Sequence, residues 1–106
     1  MYEGVEIPGP VAGEWARPFE TVRGGKDAAF GNFGEEHAIK SKRHYYANIT
    51  FIDAMVGEII QALKDNGMYE NSIICFTSDH GDMMGDHHHW RKTYAYEGSA
   101  NIPYLL

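Results

Sequence analysis

Chemistry in this chain concentrates in one stretch, Ser78-Asp79-His80-Gly81-Asp82-Met83-Met84-Gly85-Asp86-His87-His88-His89-Trp90-Arg91-Lys92-Thr93. Four of the six histidines and three aspartates fall in the eleven positions from 79 to 89. A carboxylate beside an imidazole, as in Asp79 and His80, can ligate a divalent cation, and Gly81 lets the backbone turn away at once. Taken alone, the same pair reads more often as a turn-initiating aspartate followed by a loop histidine. His87, His88 and His89 form either a solvated polar run or a chelating patch, of which one or two rings at most can converge on one ion. Lys92 is either surface charge or a cation placed for an anionic substrate.

The elements around this stretch must hold it. Residues 35–66 carry apolar side chains at three- and four-residue steps (Ile39, Tyr45, Ile49, Ile52, Val56, Ile59, Leu63), with Gly67 as a stop signal, which predicts one long amphipathic helix. Residues 72–77, Ser-Ile-Ile-Cys-Phe-Thr, predict a buried strand, with Cys75 as a small apolar core residue. Helix, turn, apolar strand and polar loop in that order are half of a βαβ crossover, so the fold class expected is α/β with a parallel sheet. Ligands of such sheets bind beyond the carboxyl ends of the strands, which singles out the loop at 78–100. A further strand is expected at 102–106, cut short within its apolar run. Residues 1–34 hold seven of the 12 glycines and three of the four prolines and read as an irregular segment. Its aromatic residues Trp15, Phe19, Phe30 and Phe33 read as anchors that bury themselves, the alternative being that they line a cleft.

Composition narrows the classes of function. The 106 residues carry 9 Lys+Arg against 15 Asp+Glu, a formal charge of −6, which argues against a nucleic-acid partner. No apolar stretch approaches the roughly 20 residues that span a bilayer, so no membrane partner is expected. One cysteine excludes an internal disulfide framework.

From Tyr45-Tyr46-Ala47 and Ile52-Asp53, through Thr77-Ser78-Asp79-His80-Gly81, Gly85-Asp86-His87 and Lys92, to Tyr96-Glu97-Gly98-Ser99 and Pro103, the order of motifs resembles the sulfatase family of the alkaline-phosphatase superfamily. The resemblance covers residues 43–106; nothing in residues 1–42 matches a motif. It implies a fragment of an alkaline-phosphatase-like sandwich, with a mostly parallel sheet flanked by helices, and makes residues 35–106 part of a catalytic domain that needs its remainder. It implies that Asp79 and His80 are metal ligands for one divalent ion, calcium, and that Lys92 contacts the sulfate ester. His87 takes a supporting catalytic role, while His88, His89 and Trp90 lie toward the leaving group. The family nucleophile, a formylglycine made within a Cys/Ser-x-Pro-x-Arg motif, is expected in the full-length enzyme, but no such motif occurs here: Cys75 is followed by Phe76-Thr77-Ser78. The chain alone is therefore expected to be inactive. The alternatives are a phosphonate or phosphodiester hydrolase of the same superfamily and a non-catalytic, histidine-rich metal-binding module.

Overall fold

A computed structural model describes residues 1–17 and 29–106. Phe19, one of the aromatic residues read as anchors, lies outside them.

The main element is helix α1, Glu35–Asp65, 31 residues long and therefore about 46 Å from end to end. It starts without a side-chain cap at Gly34, and Glu35 and Glu36 in its first turn complement the positive end of the helix dipole. It ends in a Schellman motif: Gly67 takes φ +66°, its N–H donates to the Lys64 carbonyl at 3.0 Å, and the Met68 N–H donates to the Leu63 carbonyl at 2.9 Å. A short 3-10 turn, Tyr69–Asn71, follows.

Strand β1 is Phe76–Thr77, and it pairs with β2, Tyr104–Leu105, in register Phe76↔Leu105 and Thr77↔Tyr104. The pair is antiparallel, and no parallel pair occurs among the described residues. This departs from the six-residue strand expected at 72–77 and the five-residue strand at 102–106. A strand exists only where a neighbour accepts its ladder, and within the described residues the two runs meet over two residues each. The expected burial is missing for the same reason. Ile73 is 88% exposed, and Cys75, read from the sequence as a core residue, is exposed as well.

The core lies instead where the N-terminal segment, the first turns of α1 and the histidine loop meet. Ala38 and Met83 are each 1% exposed there, with Ile7 and Ser99 also buried. Beyond that region α1 projects with Tyr45, Ile49, Ile52, Met55 and Ile59 uncovered, one contiguous apolar face along the helix. No helix among the described residues is long and apolar enough to cross a membrane.

Candidate active site

The chain leaves β1 at Ser78, whose hydroxyl donates to the His80 carbonyl at 2.7 Å and closes a tight turn. Asp79 caps that turn: its Oδ1 accepts the His80 N–H at 3.0 Å. The Asp79 side chain is otherwise open, 83% exposed, with Oδ2 at 3.5 Å from His80 Nε2. The His80 ring is oriented by its surroundings: Nδ1–H donates to the Gly81 carbonyl at 2.7 Å, which turns Nε2 toward the Asp79 carboxylate.

Gly81 then passes against the last helix of the chain, α2, Glu97–Ala100. Its N–H donates to the Ser99 carbonyl at 2.9 Å, and a Cβ at this position would collide with the Gly98 carbonyl oxygen. Gly81→Ala should therefore destabilise the protein by about 1–3 kcal/mol, because backbone on both sides must part. Thermal unfolding would register it as a lower Tm, and an unchanged Tm would refute the close approach.

Asp82 and Asp86 look inward and hold the loop together. The Asp82 Oδ1 accepts the N–H groups of Met84 at 2.9 Å and Arg91 at 3.0 Å, while the Met83 N–H donates to the Arg91 carbonyl at 2.8 Å. Arg91 is thus pinned on both sides of its backbone, and Lys92 is the next residue. Lys92 is half-buried and makes no hydrogen bond or ion pair with the described residues. Asp86 Oδ1 accepts the Val11 N–H at 2.9 Å and faces Lys42 Nζ at 3.4 Å, and Lys42 also donates to the Gly9 carbonyl at 3.0 Å. Residues 9–13 thereby lie as a strap across the loop.

That strap also sets the state of His87. Its N–H donates to the Val11 carbonyl at 2.7 Å, and its Nδ1 accepts the Gly13 N–H at 3.0 Å. The ring is therefore neutral with its proton on Nε2, a fixed donor. His89 Nδ1–H donates to the His87 carbonyl at 2.7 Å. Trp15 stacks on Tyr96 at 5.5 Å and tilts over His87 at 4.8 Å, so this aromatic residue lines a cleft and does not bury itself as an anchor. Trp90 is held by the N-terminal part of the chain: its indole donates to the Gly31 carbonyl and its ring meets Phe33 and His37 edge-on. Burial pushes the Tyr94 hydroxyl above the ordinary tyrosine range.

The backbone of the loop is held in a costly shape. Met84, His87, His88, Arg91 and Thr93 all take positive φ, between 50° and 91°. Such conformations in non-glycine residues cost on the order of 1 kcal/mol each and gather at functional sites.

Comparison with known proteins gives this constellation its context. The sulfatase family model matches residues 18–106. The chain belongs to the sulfatase family. It is 40% identical over 108 residues to an arylsulfatase of Clostridium perfringens, a match covering 100% of this chain and 22% of that protein. To a choline-sulfatase of Rhizobium meliloti it is 43% identical over 72 residues, 68% of this chain and 14% of the relative. To arylsulfatase K of Gallus gallus it is 35% identical over 105 residues, 99% of this chain and 20% of the relative. The chain thus spans about a fifth of the length of these sulfatases. Membership brings with it the α/β fold of the alkaline-phosphatase superfamily. The likeness also reaches well upstream of residue 43, where motif reading placed its start. The upstream signal lies in a glycine-rich segment that carries no compact motif, whereas the strap on Asp86 and His87 shows what that segment does.

Proposed function

We propose that this chain forms one wall of the active site of a metal-dependent sulfuric ester hydrolase. The observation that carries the reading is the Asp79-His80 pair, with His80 Nε2 3.5 Å from the Asp79 carboxylate and Nδ1 held by the Gly81 carbonyl, in a chain matched by the sulfatase family. Two donors at that spacing suit neighbouring ligands of a single cation. A divalent ion, calcium by family resemblance, would supply positive charge beside the sulfate oxygens. Among the described residues no group of three or more His, Cys, Asp or Glu gathers, and on this reading the other ligands lie outside them. Against a self-contained histidine metal module, the Nδ1 lone pair of His87 is already taken up by the Gly13 N–H.

Lys92 places an ammonium on the sulfate ester and opposes the charge that develops as the S–O bond breaks. His87 donates Nε2–H to the substrate, and His88 lies beside it. A formylglycine in the remainder of the domain would supply the attacking oxygen. That remainder also provides the mostly parallel sheet and flanking helices that cover the apolar face of α1 and the exposed run at 72–77.

The test uses the intact sulfatase containing this segment, with release of inorganic sulfate as the readout. Chelation should abolish turnover of 4-nitrophenyl sulfate, and calcium should restore it; full turnover after chelation would remove the metal from the reading. The isolated 106-residue chain should release no sulfate. Turnover by that chain, abolished by Lys92→Ala, would show that the chain carries its own nucleophile.

A further inference from the structure

The Lys42–Asp86 ion pair ties together three parts of the chain that meet at His87: helix α1, the strap at residues 9–13 and the histidine loop. We propose that Lys42 and Asp86 are positioning residues for the reaction: they fasten the strap to the loop, and the fastened strap holds the His87 ring so that its Nε2–H meets the sulfate ester. This role rests on the sulfatase reading above, in which His87 donates to the substrate, and adds what orients that donor.

The strap makes its contacts at every second residue. In an extended chain the N–H and C=O of one residue point to the same side, and alternate residues repeat that direction. The Gly9 carbonyl accepts from Lys42 Nζ at 3.0 Å. The Val11 N–H donates to Asp86 Oδ1 at 2.9 Å, and its carbonyl accepts the His87 N–H at 2.7 Å. The Gly13 N–H donates to His87 Nδ1 at 3.0 Å, and Trp15 lays its ring over His87 at 4.8 Å. Lys42 Nζ stands 3.4 Å from the same Asp86 oxygen, so one side chain of α1 grips strap and loop at once. The Lys42 side chain is only 13% exposed, which limits the screening of this pair by salt.

His87 needs such a hold. Its backbone takes φ 53° and ψ 26°, in the left-handed region that a histidine keeps only where its surroundings impose it. Gly85 at φ 93° and His88 at φ 62° bend the chain on either side, so the loop by itself does not hold the ring at one angle. With Nδ1 occupied by the Gly13 N–H, the outward polar group of the ring is Nε2–H. Release of the strap would free both the rotation of the ring and its tautomer. A misplacement of about 1 Å at a catalytic group costs up to about a hundredfold in rate.

In the intact sulfatase, kcat and KM for 4-nitrophenyl sulfate would be measured in the wild type, in Lys42→Met, Asp86→Asn and His87→Ala, and in each of the first two combined with the third. Lys42→Met should lower kcat by roughly tenfold while KM changes by less than about twofold. Asp86→Asn keeps an oxygen for the Val11 N–H but drops the charge that faces Lys42, so it should match Lys42→Met, and it reads the same link if Lys42→Met fails to fold. On the His87→Ala background neither substitution should cost anything further, because the ring that they orient is gone. The same tenfold loss on that background, or no loss on the wild-type background, would overturn the positioning role and leave the sulfatase reading standing. Full activity in His87→Ala would remove His87 from the chemistry, and the positioning role with it. Absence of turnover by the wild type on every sulfate ester would overturn the sulfatase reading itself.

Discussion

Lys92→Ala in the intact sulfatase should lower kcat/KM for a sulfate ester by about a thousandfold, the size of effect seen when a single preorganised donor to a developing oxyanion is removed. The expectation follows from how Lys92 is held. Its neighbour Arg91 is fixed through both N–H and C=O by Asp82 and Met83, so the lysine backbone is placed before substrate arrives. Its ammonium spends nothing on a partner within the described residues. Removing it should therefore leave Tm nearly unchanged while the rate collapses. Lys92→Arg keeps the charge but replaces a compact ammonium with a wide planar group, and should recover only part of the loss. A fall in Tm that matches the fall in rate would instead assign Lys92 a structural role.

Asp79→Asn should be comparably severe, and for a different reason. The substitution keeps the shape and the oxygen that accepts the His80 N–H, but it removes one negative charge from the pair proposed to hold the cation. Activity should fall by at least about a hundredfold at limiting calcium, with part of the loss recovered at high calcium, because the defect is one of affinity. Titration of activity against calcium in both proteins reads this directly. An Asp79 carboxylate that is 83% exposed contributes little to folding, so stability should change by less than about 0.5 kcal/mol. Activity indifferent to Asp79→Asn at limiting calcium would assign the carboxylate to the turn alone.

The legible parts of this molecule are those coded by neighbours in sequence. The three- and four-residue spacing of Ile39 through Leu63 and the glycine at 67 suffice to locate α1 and its end. Asp79 and His80 sit directly after an apolar run, and their turn is closed by Ser78, two residues from its partner. What could not be read depends on distant chain. Three aspartates in one loop look equivalent, yet only Asp79 is open; Asp82 and Asp86 are consumed by backbone groups, one of them 75 residues away. The settings of Trp15 and Trp90 were not legible because each is positioned by a partner far along the chain, Tyr96 for one and Gly31 for the other. The strand at 72–77 shows the same limit. Its β-branched and aromatic composition is plain, but pairing and burial belong to its neighbours, and here only Phe76 and Thr77 find a ladder.

The strap of residues 9–13 over the histidine loop carries a consequence for the order of folding. Its hydrogen bonds to Asp86 and His87 close gaps of 75 and 74 residues, whereas the contacts that build α1 close within four. Helix formation takes about a microsecond, but closing a loop of that length must wait until both ends have searched for one another. During synthesis the strap emerges first and must stay unengaged until the histidine run leaves the ribosome. The hydrogen bonds that tether His87 to residues 9–13 are therefore expected to close after α1 has formed.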